Sequence, residues 1–288
     1  IDYSEDGDVD AEMINSASRT MNRMFKAWTA DGLQVWKQVE TYLLLEKGKA
    51  EYDLGPTGDH WVTGFSSTEM RVAATASVTT MEVDSTTGMT AADYVGVVTD
   101  DGTIHWTTIA SVTDTDTFEL TDALDDSAAI DNNVYWYTSK AQRPYRITEC
   151  VIADENGSEN LMYQLSREEY WNYTNKTQSG TPTLFYYDQA LTNGNIFVYD
   201  ITNRSTDYLV IAAHYPFQDM DAASDNIEFP DYWYEAIIDG LAYRFAVEYR
   251  APRDVRAELR SIADKSKEEA MNFDVEGLSV FFQPEYRG

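Results

Sequence analysis

Three histidines, His60, His105 and His214, and one cysteine, Cys150, are all the chain offers as imidazole base, thiol nucleophile, or imidazole or thiolate metal ligand. None of the histidines has the His-Glu-x-x-His spacing that sets two imidazoles over a zinc ion, and none adjoins a nucleophile motif. His105 precedes Trp106 in a strand-like run, where a lone imidazole reads as structural. A single thiol allows neither an internal disulfide nor a cysteine zinc site. No Gly-x4-Gly-Lys-Ser/Thr loop is present to cradle a phosphate. Asp6, Asp8, Asp10 and Glu12 alternate like calcium-loop ligands, but the flanking order is wrong for an EF-hand. No metal and no cofactor is therefore expected. What remains is carboxylate chemistry, in which two acids flank and cleave a glycosidic bond. With 50 Asp and Glu in 288 residues, acids meeting in a cleft are poor evidence of catalysis.

The same acids set the electrostatics. Against 21 Lys and Arg they leave a formal charge of −29. Such a chain repels nucleic acid and anionic membranes alike. Apolar residues make up 43% and aromatic residues 13%, including 20 Tyr and 7 Trp, so the chain has material for a sizeable core. The Trp and Tyr could form a sugar-binding platform, yet most sit at helical or strand spacing and read as core. No run of 18 apolar residues and no signal-peptide pattern occurs. The chain opens on Ile1, so an initiator Met is expected to be missing, and synthesis in a reducing cytoplasm is expected.

Positioning falls first to the stretch from Phe229 to Tyr249. Trp233, Ile237, Leu241, Phe245 and Tyr249 recur every four residues, with Tyr234, Ile238, Ala242 and Ala246 in the adjacent row. This spacing predicts a helix with an apolar face too wide for one partner. Pro230 suits its first turn, and Pro252 ends it. A first helix is predicted from near Asp10, with Met13, Ala17, Met21, Met24, Phe25 and Trp28 on one face and Gly32 as its terminator. Val35–Leu45 and Lys49–Leu54, joined by Glu46-Lys47-Gly48, read as a β-hairpin.

From residue 71 to 138 the texture changes to short runs rich in Thr, Asp, Val and Ala. Strands are predicted at Thr79–Val83, Tyr94–Thr99, Thr103–Val112, Thr117–Thr121 and Val134–Thr138, with Asp101-Gly102 as a two-residue turn. Five such strands predict a small β-barrel-like domain inserted at 71–138 into a core made of 1–70 and 139–288. Beyond it come a strand at Tyr145–Ile152, a turn at Asn156-Gly157, and a capping box at Ser166–Glu169 opening a short helix. Strands follow at Leu184–Tyr187, Asn195–Tyr199 and Asp207–His214, the last continuous in apolar residues and so expected to be buried. A last helix, Asp254–Asn272, has a narrow stripe of Val255, Leu259 and Ile262 and is expected to be mostly solvated or subunit-facing. The end, with Val280, Phe281, Phe282, Pro284 and Tyr286, is apolar and extended. It either docks in a partner groove or packs on the chain's own core.

Taken in order, these stretches resemble one family. Met21-Asn22-Arg23-Met24, Trp28 and Asp31-Gly32-Leu33 with Trp36 resemble the first helix and following strand of the head-to-tail adaptors of short-tailed bacteriophages. Ser166-Arg-Glu-Glu-Tyr170-Trp171, Asn175-Lys176, Gly180-Thr-Pro182 and Tyr186-Tyr187-Asp188 are similar to the family's most recognisable block. Phe229-Pro230-Asp231, Trp233, Ala236, Leu241-Ala242 and Glu248-Tyr249 resemble its long C-terminal helix. Gly88, Asp93–Gly96, Asp101-Gly102 and Trp106–Ile109 resemble the β-domain that some members carry. Asp200 departs from the pattern, standing where a Trp-Pro turn is expected, and the chain is more acidic than a typical member.

The resemblance implies an α+β fold, with a helical adaptor core carrying β-hairpins and strands, plus the inserted β-barrel-like domain. It implies a structural virion protein at the head–tail junction, made in the host bacterial cytoplasm. The expected assembly is a homo-oligomeric ring of twelve copies between the portal protein and the tail nozzle protein, with no enzymatic activity and no membrane partner. Trp233, Ile237, Ile238, Leu241, Phe245 and Tyr249 would pack the helices of the ring. Val280, Phe281, Phe282, Pro284 and Tyr286 would grip the portal, and the 71–138 domain could dock tail fibres. Genome DNA would pass through the channel without specific binding. Twelve copies would carry roughly −350 formal charges (twelve times 29), which keeps DNA from sticking where those charges line a channel. Acidity that aids solubility or suits a salty habitat explains the charge equally well. The alternative class is a tail-associated binder or hydrolase of cell-wall glycan using a carboxylate pair.

Overall fold

Met21, Met24, Phe25 and Trp28 share one face of helix α1 (Ala11–Ala30), as their spacing predicts, and all four are buried. The computed structural model describes residues 11–30, 38–217, 220 and 229–273. Among them the other α-helices are α2 (Arg167–Asn172), α3 (Tyr234–Glu248) and α4 (Arg253–Phe273). The chain is mixed α+β, with more strand than a helical core implies. Two compact units form, one from residues 1–36 with 216–288 and one from residues 37–215. This cut differs from an insertion at 71–138, although that segment contributes to a sheet and a core of its own.

In the helical unit α3 packs on both α1 and α4. A single 3-10 turn, Asp231–Trp233, precedes α3 and follows Pro230, whose extended backbone turns the chain into it. Trp233, Ala236, Ile237 and Phe229 bury against the α1 face together with Ala270 of α4. The rings interlock, with Phe25 at 4.6 Å from Phe229 and Trp28 at 5.4 Å from Trp233. The helix closes before Pro252 as expected: Tyr249 N–H donates to Phe245 O, and Arg250 adopts a left-handed φ of 53°.

The last helix is mostly exposed, as its narrow apolar stripe and mixed charges predict. Val255 and Ile262 are exposed, and the buried positions are Ala263 and Ala270. Small side chains allow the close helix approach that the bulkier stripe prevents. Ser266 Oγ adds a hydrogen bond to Asp239 of α3.

In the β unit, strands β1 (Gln38–Leu44), β2 (Glu51–Leu54) and β3 (Trp61–Val62) open the chain. The expected hairpin of the first two does not form. The turn at Glu46–Gly48 exists, but it carries the chain from one sheet to another: β1 pairs with β3 and β15 (Tyr208–His214), and β2 pairs with β14 (Gly194–Tyr199). Each strand buries a different partner face, which outweighs the local turn signal. One sheet has the order β11-β10-β15-β1-β3, with β10 (Arg146–Ala153) and β11 (Glu159–Leu161), and is antiparallel throughout. The other has the order β12-β13-β14-β2, with β12 (Tyr163–Gln164) and β13 (Leu184–Asp188). Their inner faces share one core, including Leu43, Tyr52, Trp61, Ile152, Phe185, Ile196 and Leu209. Strand β15 alternates and is not buried throughout: Leu209, Ile211 and Ala213 face this core, while Val210 is half-exposed. The capping box at Ser166 forms as predicted, with Ser166 and Glu169 each accepting the other's backbone N–H.

All five strands predicted within 71–138 are present, as β5 (Thr80–Glu82), β6 (Tyr94–Val98), β7 (Ile104–Val112), β8 (Thr117–Leu120) and β9 (Asn133–Tyr137). A sixth strand before them, β4 (Ser66–Glu69), completes the order β4-β9-β6-β7-β8-β5. One antiparallel bridge, Met70 to Val83, links the two edges, so the sheet curls around a core of Met81, Val95, Ile109, Phe118, Leu124 and Val134. The β6–β7 turn has three residues, not two: Thr99 N–H donates to Thr103 O, and Gly102 takes the left-handed φ of 84° that closes such a loop. A smaller apolar cluster of Leu44, Val98, Ile104 and Tyr135, with Phe65 and Tyr208 against it, joins this sheet to the sandwich.

Candidate functional site

The residues expected to pack the ring helices divide into two sets. Trp233 and Ile237 lie in the core of the helical unit. Leu241 and Phe245 are half-buried, whereas Ile238 at 64% and Tyr249 at 55% exposure point outward. Tyr234 shares the face of Ile238 and Tyr249 on α3, and Val255 and Ile262 are exposed on α4. Phe273, 73% exposed at the end of α4, meets Tyr232 at a ring distance of 4.7 Å. Sequence reasoning named Ile238 and Tyr249 but missed Tyr232 and Phe273. The signal was available in α4, whose alanines mark the inward face and leave its larger apolar residues outside. The positions expected to contact a portal, Val280, Phe281, Phe282, Pro284 and Tyr286, lie outside the described residues, as do Gly32 and the acids Asp6, Asp8 and Asp10.

The block Ser166–Asp188 gathers into one aromatic surface. Tyr170 stacks on Tyr186 at 5.4 Å, and Phe197 contacts both rings, at 5.2 Å and 5.7 Å. Lys176 Nζ sits 5.1 Å from the ring centres of both Tyr170 and Trp171, and donates to Tyr173 O at 3.0 Å. Trp171 itself is exposed. A surface tryptophan held by a cation is a polar-tipped apolar contact of the kind enriched at protein interfaces.

The histidines serve different ends. His60 stacks on Trp106 at 3.5 Å and 9°, and its Nδ1 lies 2.6 Å from Tyr137 Oη. Trp106 in turn covers Gly96 on the neighbouring strand, where a Cβ would stand 2.5 Å from the indole. Burial, aided by the positive charges of Lys140 and Lys49, pushes His60 down to about 2. A depressed imidazole stays neutral in the folded chain, while the unfolded chain takes up the proton near pH 6.5. Stability present above pH 6.5 is therefore lost as pH falls from there toward 2. The expected loss is about 2 kcal/mol between pH 7.5 and 5. Urea midpoints at the two pH values should show it in the wild type and show less of it in His60→Phe; equal losses would refute the assignment.

His105 has Nδ1 2.9 Å from Asp125 and Nε2 3.4 Å from Asp122 O. His214 ends β15, where its carbonyl accepts Tyr145 N–H at 2.7 Å. Cys150 is buried against Met162, and burial pushes its thiol far up. Among the described residues no group of three His, Cys, Asp or Glu is placed to hold a metal ion, and no helix is long and apolar enough to cross a membrane.

Carboxylates do converge in one cleft, of about 590 Å3, lined by Glu69, Asp84 and Glu155 with Tyr135 and Tyr208. Among the described residues Glu46 is the carboxyl whose value is raised, by burial, with Lys49 opposing the rise. It lies in the turn after β1, where Lys49 Nζ bridges it at 3.4 Å to Asp59 at 2.5 Å. This trio locks a turn. Compared with family models and with curated proteins, the sequence matches none.

Proposed function

We propose that the chain is a structural subunit of a phage head-to-tail adaptor, assembling as a ring between portal and tail nozzle around the DNA channel. The observation that carries this reading is the apolar row on α3 and α4. Ile238, Tyr249, Val255, Ile262 and Phe273 are exposed on two helices that pack on each other. Such a surface in one helical unit fits contacts with other helices from neighbouring copies. The ordered resemblance of the helices, the Ser166–Asp188 block and the curled sheet to the adaptor family supports the same reading. The curled sheet, with its own core, is proposed as a dock for tail fibres.

Electron microscopy of the purified chain mixed with the portal protein of the same phage tests this directly. Rings stacked on the portal are expected. A chain lacking residues 278–288 should fold but fail to bind, because Phe281, Phe282 and Tyr286 are its portal contacts. Binding that survives the deletion would remove the tail from the proposal, and absence of any portal complex with the intact chain would overturn the function itself.

A further inference from the structure

Within the β unit, the 590 Å3 cleft brings aromatic rings and carboxylates to the same walls. Phe65, Ser67 and Glu69 alternate along β4 and so share one face of it. The register sets Tyr135 of β9 opposite Ser67, and Asn133 opposite Glu69. Asp84 is tied to the same edge, where its N–H donates to Glu69 O at 3.0 Å. The sandwich contributes Tyr208, at the start of β15, and Glu155, in the turn between β10 and β11. A volume of this size is that of a small-molecule site.

The ring of Phe65 stands 5.3 Å from Tyr208 and 5.8 Å from Tyr135, nearly perpendicular to both. Phe65 and Tyr208 are half-buried, so part of each ring stays open to an occupant. Tyr135 is 4% exposed, yet its hydroxyl makes only long contacts among the described residues: it accepts from Asn133 Nδ2 at 3.3 Å and donates to Ser205 O at 3.5 Å. Among the described residues that line the cleft, none is basic. Arg71, two positions beyond Glu69, is held by Glu82 and Asp116. The walls therefore carry acids of one sign on an apolar, aromatic backing, which focuses their field into the cleft.

We propose that this cleft binds a linear polyamine, its ammonium groups set against Glu69, Asp84 and Glu155 and its methylene segments laid over Phe65 and Tyr208. An ammonium beside an aromatic face gains from the ring quadrupole, and its hydrogens suit carboxylate oxygens and the phenol oxygen of Tyr135. The methylenes between ammonium groups cover apolar ring surface that water solvates poorly. Acids scattered over the rest of the surface offer charge without that apolar track. A bare metal ion is a poor occupant, because no three acids among the described residues are placed to ligate one. A neutral glycan would use the rings but leave three carboxylates without a counter-charge. The site does not depend on assembly of a ring.

Calorimetric titration of the full chain with spermidine tests the site, in about 0.15 M salt so that distant acids are screened. Saturable binding is expected for the wild type. Glu69→Gln/Glu155→Gln should weaken it about tenfold, and Tyr208→Leu, which removes the π-face but keeps an apolar side chain, about threefold. Glu258→Gln/Glu268→Gln, at exposed positions on α4, removes the same charge elsewhere and should leave the affinity unchanged. Glu69 and Glu155 are exposed, so their double variant keeps the fold and carries the test alone if Tyr208→Leu does not fold. Equal weakening in the two double variants would reduce the effect to net charge and overturn the site. Absence of saturable spermidine binding overturns it as well. A tetramer of N-acetylglucosamine that binds where spermidine does not, and is weakened by Tyr208→Leu, would give the cleft to a glycan instead.

Discussion

Replacing Ile238 with Asp is expected to abolish ring assembly while leaving the helical unit folded. Ile238 is 64% exposed on α3, so the new carboxylate stays hydrated in the isolated chain. The folding cost reduces to helix propensity and a little lost apolar contact, about 0.5–1 kcal/mol. In an assembled ring the same carboxylate would be buried against an apolar neighbour with no partner. Such a charge costs about 3–5 kcal/mol per contact, or about two to four orders of magnitude in affinity. Circular dichroism should match the wild type and the melting temperature should fall by only a few degrees, while rings on the portal disappear from micrographs. Rings that persist with Asp at 238 would place this face outside the interface. Tyr249→Asp, one row further along, provides an independent check of the same surface.

Replacing Trp233 with Ala should do the opposite and unfold the helical unit. Trp233 is fully buried, with Trp28 at 5.4 Å and Phe229 at 5.7 Å from its ring. Removing a buried indole forfeits its transfer free energy and leaves a cavity that neighbouring rings cannot fill, a loss of about 3–5 kcal/mol. That approaches the whole stability of a small unit, commonly about 5–15 kcal/mol. The β unit buries separate cores, so its own transition should remain. Urea unfolding followed by hydrogen exchange is expected to show early exchange in α1, α3 and α4 with protection kept in β1, β10 and β15. Uniform loss of protection across both units would show that they fold as one.

Together the two substitutions separate the roles of one helix. Trp233 and Ile238 are five residues apart, and the i, i+4 rows that predict an over-wide apolar face include both. The spacing identifies the helix and its excess of apolar surface, but it cannot rank the rows. Which row meets α1 depends on the aromatic side chains of Phe25, Trp28 and Phe229, and so on residues about two hundred positions apart in the chain. The same limit explains α4. Its apolar stripe and its alanines are equally visible in the sequence, and only close packing on α3 selects the alanines.

Local structure was legible wherever the cause was local. The capping box at Ser166, the terminating Pro252, the turn at Asn156-Gly157 and the short strand-forming runs of β5 to β9 depend on neighbours a few residues away. Hairpin pairing at 38–54 was not, because β1 and β2 each gain more from burying a face against a distant strand than from pairing with each other. The sequence also excluded chemistry by itself: one thiol, three separated histidines and a charge of −29 bound what the chain can hold or attract. The site residues emerged only in three dimensions. His60 is an unremarkable loop histidine until Trp106 and Tyr137 enclose it, and Glu69 and Tyr208 share a cleft only because the curled sheet packs on the sandwich. Periodicity and turn chemistry act over one or two turns of chain, whereas burial, charge pairing and exposed faces are set by which elements meet. For this protein the first determined the parts, and the second decided which surfaces remain free to bind.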